Sequence, residues 1–312
     1  MEFVSRKLRL GFVASALFGC LLHAQVPPDA KVIEPETFTF RTDTRLVDLH
    51  ASVVDKDGHL VLGLPQSAFT IYENGVQQEI KMFRREDVPV SLGLIIDNSA
   101  SMHDKRAKVA SAALALVSAS NPEDEVFIMN FNEETSLEAD YTSDIKRLEE
   151  ALKTINSHGG TAMRDALRMG IEHLKHGGKK EKKIVLVVTD GEDNASVETL
   201  GHLIQATQQN GVIIYAIGLL SDNEPREAEH AKRALDALTL ATGGQVWYPN
   251  DLAEVDGIAR EVAHEIRNQY ILGYTSSNQA LDGSFRRIRV AVKAQGDPIV
   301  RTRSGYYAST ER

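Results

Sequence analysis

Asp97, Ser99 and Ser101 stand at alternate positions directly after the apolar run Val90-Ser91-Leu92-Gly93-Leu94-Ile95-Ile96. Three oxygen-bearing side chains leaving the end of a buried strand suit a hard divalent cation such as Mg²⁺, with water filling the remaining sites. Two later segments belong with them. Gly159-Gly160-Thr161-Ala162-Met163 reads as a glycine-rich loop opening a helix, and Ile184 to Gly191 as a second buried strand ending in Thr189-Asp190-Gly191. Taken singly, each is also what a solvated turn with a serine helix cap looks like.

In that order, Asp97-x-Ser99-x-Ser101, Thr161 after Gly-Gly, and Thr189-Asp190-Gly191 form the signature of a metal-ion-dependent adhesion site. Residues Val88 to Asn268 resemble a von Willebrand factor type A domain by motif and by element order. The resemblance implies that Ser99, Ser101 and Thr161 hold Mg²⁺ (or Mn²⁺ or Ca²⁺) through hydroxyls. Asp97 and Asp190 would act mainly through bound water and by holding those hydroxyls. It also implies a protein ligand whose Asp or Glu side chain fills an open coordination position. Glu192 and Asp193 extend the acidic loop and read as solvated rather than as a second cation site, while His103 and Asp104 read as rim residues.

The pattern around these motifs is strands alternating with helices. Strands are predicted at Val90–Ile96, Glu125–Phe131, Thr135–Tyr141 (polar, hence an edge), Lys183–Thr189, Val212–Leu219 and Gln245–Tyr248. Helices are predicted at Lys105–Ser120, Asp144–Ile155, Met163–His176, Val197–Gln209, Glu227–Thr242 and Leu252–Asn268. Continuous apolar strands between amphipathic helices mean a mostly parallel, doubly wound sheet covered on both faces. Ligands of such sheets bind beyond the strand carboxyl ends, where the strand order switches. In the type A arrangement the strands ending at Asp97 and Asp190 lie side by side there.

The flanks have β texture instead. Before the α/β region come Thr37–Thr42, Leu46–Val54, Leu60–Leu62, and a hairpin from Phe69–Tyr72 through Glu73-Asn74-Gly75 to Glu79–Arg84. After it come Tyr270–Tyr274, Phe285–Val292 and Ile299–Arg303. The simplest geometry joins both flanks into one small β-sandwich with the Rossmann-like α/β domain inserted. The expected organisation is a signal peptide at 1–24, an N-terminal β-rich segment at 25–87, the type A domain at 88–268 and a C-terminal β segment at 269–312. These flanks are similar to those of a group of bacterial exported proteins with an extended type A domain. Trp247, Tyr248, Tyr270, Tyr274, Tyr306 and Tyr307 read as strand-end core packing rather than an aromatic patch.

Arg6, Lys7 and Arg9 precede the 13-residue apolar run Leu10–Leu22, followed by Ala24. That is the layout of a secretory signal, and the run is shorter than the roughly 20 residues of a spanning helix. Leu17-Phe18-Gly19-Cys20 also resembles a bacterial lipobox, which would lipidate Cys20. The expected location is therefore the periplasm or envelope, or outside the cell. Cys20 is the only cysteine, so a chain starting at Gln25 has no disulfide, thiolate metal site or cysteine nucleophile. The formal charge is −9, or about −11 from Gln25 onward. Such a balance argues against nucleic acid and anionic membrane surfaces as partners.

Catalytic readings fare poorly. Gly-x-Ser-x-Gly, the phosphate-binding Gly-x-x-x-x-Gly-Lys-Ser/Thr, Gly-x-Gly-x-x-Gly after a strand, and His-Glu-x-x-His are all missing from the sequence. A Mg²⁺-dependent hydrolase or phosphoryl-transfer enzyme with Asp97 as nucleophile would place a second carboxylate where Ser99 stands. The expectation is a non-catalytic interaction module. The enzyme, and a scaffold with a vestigial metal site, are the alternatives.

Overall fold

The computed structural model describes residues 45–85, 87–153, 157–221 and 224–309. The export signal, the lipobox at Cys20, the leader and Thr37–Thr42 lie outside the described residues. The α/β region is a six-stranded sheet. Its strands are β5 (Val90–Asp97), β6 (Glu125–Phe131), β7 (Thr135–Thr142), β8 (Lys182–Thr189), β9 (Ile213–Gly218) and β10 (Val246–Trp247). Their order is β10-β9-β8-β5-β6-β7, all parallel except β7, which runs antiparallel to β6 at the edge. Every residue of β5 is buried, as a central strand covered on both faces requires.

Alternation along the strands divides the core in two. Leu92, Leu94, Ile96, Ile184, Leu186 and Val188 point to one face. There they meet α1 (Arg106–Ala119), α2 (Ile145–Lys153) and α6 (Val255–Arg267). Ile95, Val185 and Val187 point to the other, against α3 (Met163–Gly177), α4 (Leu200–Asn210) and α5 (Pro225–Thr242). The chain runs from β5 outward to β7, then returns to β8 on the opposite side, so the strand order switches between β5 and β8.

The flanks supply β1 (Leu46–Val54), β2 (Phe69–Glu73), β3 (Val76–Gln78) and β4 (Ile80–Arg84) before this region. After it come β11 (Tyr270–Thr275), β12 (Phe285–Val292), β13 (Ile299–Arg301) and β14 (Gly305–Tyr307). They form two antiparallel sheets, β13-β1-β11-β4 and β14-β12-β2-β3. One core holds them together, with Leu49 and Leu272 from the first sheet and Ile71 and Val290 from the second. N- and C-terminal strands thus interleave in a sandwich.

Several local expectations are corrected. Leu60–Leu62 is not a strand; only Leu60 bridges, to Val54. The Asn74-Gly75 turn joins β2 to the short β3, and β4 leaves for the other sheet, pairing with β11. The predicted helix at Val197 begins three residues later, because Thr199 caps it by accepting from the His202 amide. The last helix is preceded by a 3₁₀ turn at Leu252–Glu254, and α2 is described only to Lys153. The aromatic residues form no patch. Tyr270, Tyr274 and Tyr306 are in the sandwich core, whereas Trp247 stacks on Tyr215 in the other body.

Polar groups fasten the two bodies. Glu265 on α6 accepts from Ser52 of β1 (2.8 Å), Tyr215 of β9 (3.2 Å) and Arg301 of β13 (2.6 Å). Gln269 donates to the Ser52 and Tyr215 hydroxyls at 3.1 Å each. All but Arg301 are buried, and among these side chains Gln269 Oε1 and Arg301 Nε are left without a hydrogen-bond partner among the described residues.

Candidate metal centre

Asp97 is the last residue of β5 and Asp190 follows β8, so the switch between these neighbouring strands sets both carboxylates on one rim. Burial continues to the rim: Asp97 is 1% exposed, Ser99 2%, Thr161 4% and Asp190 7%. Ser101 alone is open to solvent. The Asp97 carboxylate accepts the Ser99 amide (2.8 Å) through one oxygen and the Thr189 hydroxyl (2.6 Å) through the other. Ser99 and Ser101 hydroxyls lie 3.1 Å apart, and Ser101 donates to Asp190 at 2.7 Å. The five polar positions from Asp97 to Asp190 are therefore linked by hydrogen bonds through Ser99, Ser101 and Thr189.

Thr161 comes in on a separate loop that is pinned at several points. The Ala100 amide donates to the Gly159 carbonyl (3.3 Å), and the His158 amide to the Asn98 carbonyl (3.1 Å), tying this loop to the serine loop. The Thr161 amide donates to Asn194 Oδ1 (2.9 Å), and the Thr161 carbonyl accepts the Asn194 and Ala195 amides. Its hydroxyl makes no hydrogen bond among the described residues. Gly159 has φ +73°, a left-handed conformation that a side chain disfavours. At Gly160 a Cβ would fall 2.8 Å from Asn194 Oδ1, so the loop needs both glycines for different reasons.

Two buried carboxylates lie close together at this rim. Burial pushes the Asp97 carboxyl up to about 6, and Asp190 nearby pushes the same way; the Thr189 and Ser99 hydrogen bonds pull it back. Lys105, just before α1, places its ammonium on the other Asp190 oxygen. A resident cation already sits on one carboxylate of the pair. The donor chemistry, hydroxyls and carboxylates with no nitrogen or sulfur, fits a hard ion.

The remaining acidic residues have other work. Asp193 is not a solvated loop carboxylate: it accepts from the Arg164 amide (2.7 Å) and guanidinium, and from Ser196 (2.7 Å). That anchors the start of α3 next to Thr161. Glu192 pairs with His230 at 2.8 Å, and Glu133 accepts the Gly160 amide at 3.0 Å. His103 and Asp104 are exposed on the rim as expected. Sequence reasoning missed Lys105, Thr189, Asn194 and Glu133 as members of the site. Only Thr189 carried a signal, lying next to Asp190 in the motif.

Residues 92–192 match the family model described as von Willebrand factor type A domain. An uncharacterized Synechocystis protein, sll0103, is 27% identical over 109 residues, 34% of this chain and 26% of that protein. The match thus spans about a quarter of the curated relative's length. Similar solved structures include the von Willebrand factor type A protein from Catenulispora acidiphila, at 15% identity and TM-score 0.47, over 86% of this chain and 75% of that chain. Another is the vWF domain of the type V pili tip protein Mfa5 from Porphyromonas gingivalis, at 14% identity and TM-score 0.46, over 58% and 97%. The family match begins in β5 and ends just past Asp190, so it encloses Asp97, Ser99, Ser101, Thr161 and Asp190: the part of the chain that carries the candidate site is similar to a von Willebrand factor type A domain.

Proposed function

We propose that this protein is a non-catalytic interaction module that captures an acidic side chain of a protein partner through a Mg²⁺-type ion. The observation that carries the reading is the hydrogen-bonded chain Thr189–Asp97–Ser99–Ser101–Asp190 at the sheet's switch point, with Thr161 beside it. Ser99, Ser101 and Thr161 would hold the ion by hydroxyl oxygens, and Asp97 and Asp190 would hold those hydroxyls and bound water. When bound, the ion supplies positive charge with a coordination position open to a carboxylate. Two carboxylates, one of them already paired to Lys105, leave that charge under-neutralised, which favours an anionic ligand.

Catalysis is disfavoured by the same geometry. Among the described residues no histidine hydrogen-bonds to Ser99 or Ser101. The one carboxylate on Ser101, Asp190, is held by Lys105 and makes a poor general base. Among the described residues no helix is long and apolar enough to cross a membrane. Export rests on the basic, apolar and small-residue order at the N-terminus, and the proposed setting is the envelope. The test is a pull-down from envelope extract with Mg²⁺ and with EDTA, using the wild type and Ser99→Ala/Ser101→Ala. Capture that needs both the ion and the serines supports the module. Turnover of a phosphate ester lost in Asp97→Asn would establish the enzyme instead.

A further inference from the structure

We propose that a cleft at the amino edge of the six-stranded sheet binds a small, multiply charged phosphate-bearing anion. The cleft has a volume of about 780 Å³, in the range of small-molecule sites. It opens where the amino ends of β5 and β8 and the carboxyl ends of α3 and α4 meet strands β1 and β4. Its walls carry Arg84, Lys175, Lys179, Lys180, Lys183 and Arg303, besides the buried Lys182, against two carboxylates, Asp48 and Glu181. This excess of positive charge stands in a chain whose formal charge is −9.

Ordinary structural roles leave most of these cations unaccounted for. A helix carboxyl end favours a cation or two, which covers Lys175 and the neighbouring His176 at the end of α3. Lys179, Lys180 and Lys183 lie beyond that helix, and Arg84 ends a strand. Among the described residues Lys175, Lys179, Lys180 and Lys183 have no carboxylate within ion-pairing distance. Among the described residues the Arg84 guanidinium meets only the Met82 sulfur, at 2.9 and 3.2 Å. Crowding like charges without counter-charges is unfavourable unless an anion joins them.

An independent feature of the wall points the same way. His50 lines the cleft, and its buried Nδ1 has no hydrogen-bond partner. Burial, with Lys182 and Arg303 close by, holds its imidazole down to about 3, so it stays neutral and offers a dipole to a ligand. Lysine-rich walls suit phosphate, which accepts point-like ammonium donors from several directions, better than the planar carboxylate that arginine forks favour. Several negative charges within so small a volume are supplied by phosphate groups at roughly two charges each.

Calorimetric titration of the purified chain with tripolyphosphate tests this. EDTA is kept present so that the candidate metal centre plays no part. The proposal expects saturable binding that weakens with salt. It expects at least about a tenfold loss in Lys179→Glu/Lys180→Glu/Lys183→Glu, and much less in Lys56→Glu/Lys81→Glu/Lys146→Glu, which carries the same charge change away from the cleft. Circular dichroism checks the fold; should the first variant unfold, Lys179→Gln/Lys180→Gln replaces it. Phosphatidylglycerol vesicles distinguish the source: co-sedimentation that tripolyphosphate displaces identifies a lipid headgroup, and tripolyphosphate binding without co-sedimentation a soluble phosphate. No binding of tripolyphosphate, equal weakening in both triple variants, or vesicle binding that tripolyphosphate does not displace would overturn the proposal.

Discussion

The two edges of the six-stranded sheet are chemical opposites. At the carboxyl edge, Asp97 and Asp190 face each other across hydroxyls, and the Lys105 ammonium pairs with Asp190. At the amino edge, lysines gather around a cleft with few carboxylates, and beside it Lys182 is buried against the Ile266 carbonyl. The edges also differ in how they are closed. The carboxyl edge is left open above Ser101, whereas the sandwich covers the amino edge and locks to it through Glu265, Ser52, Tyr215, Gln269 and Arg301. Parallel strands make such asymmetry natural, because one edge gathers all the strand-to-helix loops and the other all the returns.

The largest expected effect comes from the locked edge. Glu265→Ala removes the carboxylate that Ser52, Tyr215 and Arg301 share, leaving buried donors and a guanidinium unpaired. A loss of about 3–5 kcal/mol in urea unfolding is expected. A loss under about 1 kcal/mol would mean that the joint is solvated and the bodies are not fastened there.

At the open edge, Gly160→Ala should move Thr161. The new methyl would meet Asn194 Oδ1, which holds the Thr161 amide, and the cost is about 1–3 kcal/mol by overpacking. Mg²⁺ affinity should fall with it, measured by calorimetry. Lys105→Met should do the reverse for the ion. Freeing Asp190 of its resident cation should strengthen Mg²⁺ binding roughly tenfold, about 1.4 kcal/mol. Weaker binding in this variant would mean that Lys105 positions Asp190 rather than competing for it.

A pH dependence is expected at the amino edge as well. His50 is held down to about 3 by burial and by Lys182 and Arg303, against 6.5 in an open chain. Between those values the unfolded chain binds the extra proton, so stability should rise with pH from about 3 to 6.5. Burial also holds Lys182 down to about 7, and by the same sign stability should rise again between about 7 and 10.5. Urea midpoints across pH, for the wild type and for His50→Gln, check this. The variant should flatten the acid limb alone.

The two edges were unequally legible in the sequence. Asp97, Ser99, Ser101 and Asp190 announce themselves because each follows an apolar strand, and strand ends converge by topology. Lys105 does not, since its pairing with Asp190 depends on how the turn before α1 folds back over the rim. Asp193 read as solvated because nothing local signals its bond to Arg164, nearly thirty residues earlier. The basic cleft was invisible for the same reason: Arg84, Lys183 and Arg303 are brought together only by the fold. Three-residue strands such as β3 and β14 are too short for alternation to register. The departure of β4 to the other sheet is a tertiary choice that a hairpin motif cannot report.

The central claim is that the carboxyl edge holds a divalent ion through these hydroxyls and carboxylates without relying on it for folding. Mg²⁺ titration of the wild type and Asp97→Ala, each also followed by circular dichroism and urea unfolding, tests it most directly. The account predicts one saturable site in the wild type, no detectable binding in Asp97→Ala, and a folded variant, because weak ion binding adds only about RT ln(1 + [L]/Kd). Undiminished Mg²⁺ binding in Asp97→Ala, or its global unfolding, would contradict the account.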